Sequence, residues 1–404
     1  MPVIFNKLRT VLKPDDVIDI HVHMGGPPAE SEEMYFWSPA FVHSLAFRSI
    51  RLVTRLGDTD LSALRYLHIL LNQVQQARNV NKIVLLALDQ VYREDGSADR
   101  QSTHLFVAND FIAGISAMYR PFLFGCSVHP YAPDALERLW LCAKNGAVLC
   151  KWIPSSQEID PTHPLSQSFY RALALLNLPL LLHVGPEEAI PTSLPEPQIN
   201  LFNAAAGKYG PIAGDAWSMA LQAGVKVIVA HCAAPLGALL DKHNAYWEKV
   251  FDTFLQRLSA AGTTGNLYAD ISALCLPGRM KYILKILPLV SEKPERFLFG
   301  SDYPIPVISF REGSVLHEIL DTLGWLAGRA LPGNDLDKNY LLLQKKFPRQ
   351  TFTSAVGILR QPQAEIPDLK YYLRELGVIK RRFFFLPDLF RSIIKKNKSG
   401  SAES

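Results

Sequence analysis

Eight short apolar runs recur along the chain, and most stay apolar until their last two or three positions. They are "VIDIHVH" (17–23), "KIVLLAL" (82–88), "FLFGCSVHP" (122–130), "AVLCKWIP" (147–154), "LPLLLHVG" (178–185), "VKVIVAHC" (225–232), "NLYADIS" (266–272) and "RFLFGSDYP" (296–304). Segments with helical spacing of apolar residues separate them; "DALERLWLCAKNG" (134–146) is one, and it closes on glycine. Near-continuous apolar strands alternating with helices predict a parallel sheet covered by helices. Eight of them predict an α/β fold of the closed (β/α)8 TIM-barrel kind, with an open doubly wound sheet as the alternative.

The polar residues that end these runs are His21 and His23, His129, Lys151, His183, His231 and Asp302. In a barrel the strand C-termini form one rim, so residues distant in sequence become neighbours around a single mouth. Taken singly, each histidine could be a core residue satisfied by a carbonyl. Taken together they exceed what packing asks for, because no packing rule ends strand after strand in imidazole or carboxylate. His21 and His23 are two apart, so on a strand they point to the same side, and neutral imidazole is the commonest metal ligand.

The remaining sequence features bound the function. With 404 residues, 48% of them hydrophobic, the chain can bury one large barrel or two medium domains. A formal net charge of +4 gives no global field to recruit nucleic acid, so a small-molecule substrate is expected. Cys126, Cys142, Cys150, Cys232 and Cys275 form no C-x-x-C pair and read as buried thiols of a reducing compartment, the cytoplasm. The start "MPVIFNKLRTVLKPDD" does not read as a signal peptide, and the longest apolar stretch, "ALALLNLPLLLHVG", is interrupted by Asn177 and Pro179. A soluble protein is expected.

Two loops are long. The one from Met24 to about Leu61 carries "MYFWSPAFVHSLAF", read as a lid, a substrate wall or an extra helix on the barrel. The one after His183 is proline-rich, and its Glu187 and Glu188 could face the mouth. Beyond about residue 360 the composition changes, which divides the chain into a barrel with terminal helices (1–360) and a basic, aromatic-containing tail (361–404). In 379–404, basic clusters (Lys380, Arg381, Arg382; Lys395, Lys396, Lys398) flank "FFFLPDLFRSII". That segment either packs against the barrel or a second copy of the chain, or makes a weak contact with an anionic membrane surface; Pro387 counts against one continuous amphipathic helix.

In strand order, "DIHVH", the lysine of "CKWIP", "HVG", "AHC" and "GSDYP" resemble the amidohydrolase superfamily over roughly residues 17 to 310, in particular the amidohydrolase-2 group of TIM-barrel metal-dependent hydrolases. The resemblance implies that His21, His23, His183 and His231 are metal ligands and that Asp302 is both a ligand and the proton-handling base. It makes Asp302 and His231 the catalytic pair. It implies a divalent metal, zinc before manganese or iron, as one or two ions. Lys151 stands where binuclear relatives carry a carbamylated lysine bridging two metals; the other reading is an uncarbamylated lysine that binds an anionic substrate group or pairs with a carboxylate. His129 has no ligand role in the pattern, and substrate contact or a hydrogen bond to a neighbouring loop both suit it. From strand alternation rather than the resemblance, Cys232 follows His231 and so points to the opposite side of its strand, which reads as a buried structural thiol facing the helix layer.

The leading expectation is metal-dependent hydrolysis of a C–N or C–O bond (amide, lactone or ester) in a small molecule. The alternative is a metal-dependent, non-hydrolytic decarboxylase of an aromatic or unsaturated carboxylic acid on the same barrel. A third reading, from another class, is a binding or scaffold protein that keeps the barrel without turnover; metal content discriminates it. Serine hydrolysis lacks its elbow, since Ser301 in "FGSDYP" has no G-x-S-x-G, and neither a phosphate loop nor a G-x-G-x-x-G fingerprint is present.

Overall fold

The eight runs become eight strands of one parallel sheet: β1 (Ile18–His23), β3 (Lys82–Leu86), β5 (Phe122–Cys126), β6 (Leu149–Trp152), β7 (Leu180–Leu182), β8 (Val227–Val229), β9 (Leu267–Asp270) and β10 (Phe297–Leu298). Each pairs with the next in sequence order, and the last meets the first. Ile20 N donates to Phe299 O at 3.0 Å, Asp302 N to His21 O at 2.9 Å and His23 N to Tyr303 O at 2.8 Å. These bonds close the sheet into the (β/α)8 barrel and exclude the doubly wound alternative. The computed structural model describes residues 10–24, 34–44, 47–48, 50–51, 63–185, 189–192, 217–236, 244–261, 265–276, 278–305 and 333–378.

The helices follow the expected chemistry. In Ala135–Lys144 the buried residues are Ala135, Leu139, Cys142 and Ala143, one stripe at helical spacing, and Gly146 takes the left-handed φ of 90° that ends the turn. Within the barrel, one apolar layer comes from Ile20, Leu86, Leu149, Leu181, Ile228, Tyr268 and Leu298. Two residues further along their strands, and so on the same face, stand Lys151, His183 and Asp270. The apolar layer is thus the floor of the polar one. On β1 the register to β3 shifts between Asp19 and Val22. That irregularity lets Ile20 join the floor while the adjacent His21 turns to the mouth, which an unbroken strand would forbid.

The aromatic stretch after β1 holds a second small sheet: β2 (Tyr35–Trp37) pairs antiparallel with β4 (Leu105–Val107). A four-residue helix, Pro39–Val42, follows, capped by Ser38. Trp37, Phe41 and Phe47 pack edge to face, with centroids 4.8 to 5.7 Å apart. Glu187, Glu188 and the tail 379–404 lie outside the described residues.

The chain divides into two compact units, residues 1–364 and 365–404, and the barrel belongs to the first. In the second, helix Leu369–Glu375 is capped by Asp368, whose carboxylate accepts the N–H groups of Lys370 and Tyr371. Among the described residues, no helix is long and apolar enough to cross a membrane.

Candidate metal centre

β1, β8 and the segment after β10 deliver His21, His231 and Asp302 to one point, buried, with one donor atom of each lying within 4.8 Å of the others. His231 follows β8 by two residues, in a turn where His231, Cys232 and Ala233 have φ of 54°, 55° and 56°; Asp302 has 63°. Such left-handed positions cost non-glycine residues about 1–2 kcal/mol each, and here they cluster at the rim.

The protons on the two histidines follow from their partners. His21 Nδ1 lies 2.7 Å from Asp270 Oδ2, and Lys151 Nζ lies 3.2 Å from His21 Nε2. A carboxylate behind and an ammonium in front place the ring proton on Nδ1. His231 Nδ1 lies 3.1 Å from the carbonyl of Ser272, which can only accept, so its proton is also on Nδ1. Both Nε2 lone pairs therefore face the carboxylate of Asp302: His21 Nε2 is 3.3 Å from Oδ1 and His231 Nε2 is 3.9 Å from Oδ2. His23 Nε2 reaches Oδ1 at 3.1 Å.

Lone pairs converging on an anionic oxygen repel unless positive charge stands among them; the Lys151 ammonium supplies it at His21 Nε2, 3.2 Å away, and a metal cation would supply it to all three groups. Donors each about 2.1 Å from a tetrahedral cation stand about 3.4 Å apart. The separations of His21 Nε2 and His231 Nε2 from Asp302, 3.3 and 3.9 Å, lie close to that spacing. The donor set of neutral imidazoles and one carboxylate suits zinc, manganese or iron.

Electrostatics agrees with this arrangement. Burial, with the charges of Lys151 and the neighbouring histidines, holds His21 well below its ordinary value and so neutral. Burial does the same for His231. Burial alone would push the Asp302 carboxyl up, but the hydrogen bond from His23 and the ammonium of Lys151 outweigh it and hold the group below the usual carboxylate range, ionised.

The other expected residues take different places. The ring of His183 is 5.3 Å from that of His231, edge to face, at the border of the cluster. Lys151 is buried inside the cluster. His129 is buried among protein partners: its Nε2 donates to Gln157 O at 2.8 Å, its Nδ1 accepts from Tyr131 N at 3.2 Å, and its backbone N–H goes to Asp89 at 2.8 Å. Both ring nitrogens of His129 are thus engaged by protein, the arrangement that a loop brace requires. Cys232 is buried, with Sγ 3.4 Å from the carbonyl of Asp270, but the left-handed turn rather than strand alternation directs it.

Sequence reasoning passed over Asp19, Asp270 and Ser272. Asp19 accepts the N–H groups of His21 (3.1 Å) and Ser301 (2.9 Å), joining the first strand to the last. Asp270 and Ser272 sit behind both histidines. Their signal was the run "NLYADIS", which ends in polar residues like the others.

The amidohydrolase family model matches residues 84–309, more than half of the chain. Lys151, His183, His231 and Asp302 fall inside the matched interval, and His21 and His23 precede it. Among solved structures, a probable 2-pyrone-4,6-dicarboxylic acid hydrolase from Acinetobacter baumannii is 14% identical, covers 86% of this chain and 97% of its own, and has a TM-score of 0.45. The 5-carboxyvanillate decarboxylase of Sphingomonas paucimobilis is 13% identical, with coverages of 86% and 99% and a TM-score of 0.41. No curated protein matches the sequence.

Proposed function

Because the chain belongs to the amidohydrolase family, we propose that it is a metal-dependent hydrolase that cleaves a C–N or C–O bond in a small amide, lactone or ester. The observation that carries this reading is the pair of buried imidazoles, His21 and His231, each with its Nδ1–H spent on an acceptor behind it and its Nε2 turned to the Asp302 carboxylate. We assign one divalent ion, zinc before manganese or iron, to His21, His231 and Asp302, with His23 and His183 at its border. When bound, such an ion eases the ionisation of water at neutral pH and polarises a carbonyl.

The chain's own residues handle the proton and the substrate. Asp302, ionised in the resting site, is the base that accepts a proton from water and passes it to the departing nitrogen or oxygen. His231 acts on this step by position, as a neutral imidazole whose Nε2 stands 3.9 Å from Asp302 Oδ2. Lys151, whose Nζ is 3.2 Å from His21 Nε2, is assigned to an anionic oxygen of the substrate rather than to a second ion. The five buried thiols support the cytoplasm as its compartment.

The test is turnover of the zinc-loaded protein on a panel of lactones, esters, amides and unsaturated carboxylic acids in ¹⁸O-enriched water. Solvent oxygen in the product supports hydrolysis. Carbon dioxide released without it assigns the decarboxylase reaction instead.

A further inference from the structure

β9 ends at Asp270, Ile271 and Ser272 follow it, and the two polar residues of this triplet lie behind the candidate metal centre, both fully buried. Ser272 Oγ donates to Asp270 Oδ2 at 2.5 Å. Its lone pairs then accept from His231 Nδ1 at 2.9 Å and share the Nδ1–H of His21 at 3.0 Å. The shorter bond of His21 Nδ1, 2.7 Å, goes to Asp270 Oδ2. Asp270 Oδ1 is held in turn by Ser272 N at 2.8 Å. One carboxylate thus anchors His21 directly and His231 through a single hydroxyl.

The opposite wall is shaped to the same purpose. A Cβ on Gly300 would lie 2.7 Å from Asp270 Oδ1 and 3.0 Å from both His21 Cβ and Ser272 Cβ. Only glycine lets the chain after β10 close on these groups.

We infer that Asp270 and Ser272 form one positioning bracket, closed over by Gly300, that sets the tautomers of His21 and His231 together and thereby the cation affinity of both. The inference rests on the reading that the site takes a cation. An imidazole in the other tautomer would carry its proton on Nε2, point N–H into the donor cluster and offer no lone pair there. Partners behind a ligating histidine are worth roughly 10- to 100-fold in metal affinity.

The experiment compares wild type, Asp270→Asn, Ser272→Ala and Gly300→Ala. Ring-nitrogen ¹⁵N shifts are read on the metal-free proteins, and zinc affinity by competition with a chromophoric chelator. In Asp270→Asn the ring nitrogens of His21 should leave the Nδ1–H pattern and zinc affinity fall roughly 10- to 100-fold. Ser272→Ala should lose less, about 10-fold, because His231 keeps the carbonyl of Ser272 as acceptor. Gly300→Ala keeps every hydrogen-bonding group and should still weaken zinc binding.

Unchanged zinc affinity in Asp270→Asn, or a fall with all ring-nitrogen shifts unchanged, overturns the bracket; if that variant does not fold, the same outcomes in Ser272→Ala and Gly300→Ala decide. A wild type with Nδ1–H on both rings that binds zinc and hydrolyses nothing removes the hydrolase reading and leaves the bracket. A wild type with the same tautomers and no zinc affinity removes the cation reading alone.

Discussion

At the scale of single residues, the site separates what holds a cation from what moves a proton. His21→Ala removes a buried Nε2 donor and leaves Asp302 without that partner, so bound zinc should be lost while the far-ultraviolet circular dichroism stays that of the wild type. Metal analysis showing wild-type zinc in His21→Ala would remove His21 from the donors. Asp302→Asn keeps the size and an oxygen but loses the base, so much of the metal should remain while turnover falls about 10²- to 10⁴-fold. A near-normal rate would move the proton-handling role elsewhere. His129 tests the brace. Burial is the main cause that lowers its imidazole from 6.5 to about 4. The unfolded chain therefore binds the extra proton first as pH falls. Stability is complete above about 6.5 and is lost as pH drops through 4, by about 3 kcal/mol for this group. In urea melts from pH 7 to 4, His129→Gln should lose less stability than wild type by that amount; parallel curves would contradict the assignment. His21, His23, His231 and Asp302 were legible because imidazole and carboxylate at strand ends are conspicuous. Asp270 and Ser272 were not, because an Asp and a Ser ending an apolar run look the same whether they face solvent or clamp two histidines.

Elements were legible where one pattern sets them. All eight strands follow from near-continuous apolar runs, since a strand covered on both faces needs no polar alternation. The β2–β4 pair was not, because three-residue strands are too short for periodicity to register and their pairing is made between segments almost seventy positions apart. The left-handed turn at His231–Ala233 was hidden too, since "AHCAA" contains no glycine to announce it. Glycine elsewhere carries information about packing. In β5, a Cβ on Gly125 would meet Leu86 Cδ2 at 2.6 Å, Val84 Cγ1 at 2.9 Å and the backbone carbonyl of Leu85 at 3.1 Å. The carbonyl belongs to the paired strand and cannot swing aside, so β3 and β5 must part or the floor must repack. Gly125→Ala should cost about 1–3 kcal/mol in denaturant unfolding with an unchanged m-value. A variant as stable as wild type would mean that the Leu86 and Val84 side chains give way and that β3 and β5 part at no cost.

On the scale of the whole molecule, the candidate centre sits across the seam of the barrel. His21 is on the first strand, Asp302 follows the last, and β10 itself is only two residues long. The seam is carried by the amides of Ile20, His23 and Asp302, bonded at 3.0, 2.8 and 2.9 Å. A cation held by His21 and Asp302 ties the two sides together, so any opening that parts the seam must also release it. Openings between β3 and β5, such as the one that frees Ile83 N from Pro121 O, leave the centre intact. A ligand that binds only the closed form stabilises it by RT ln(1 + [L]/Kd), about 4 kcal/mol at a thousandfold excess over Kd. Hydrogen exchange with and without zinc should therefore slow at Ile20, His23 and Asp302 by up to about a thousandfold. Ile83 should slow less, to the extent that its exchange proceeds by local opening. Equal slowing at all four amides would make the effect purely global, and no slowing at the seam would mean that the cation does not bridge it.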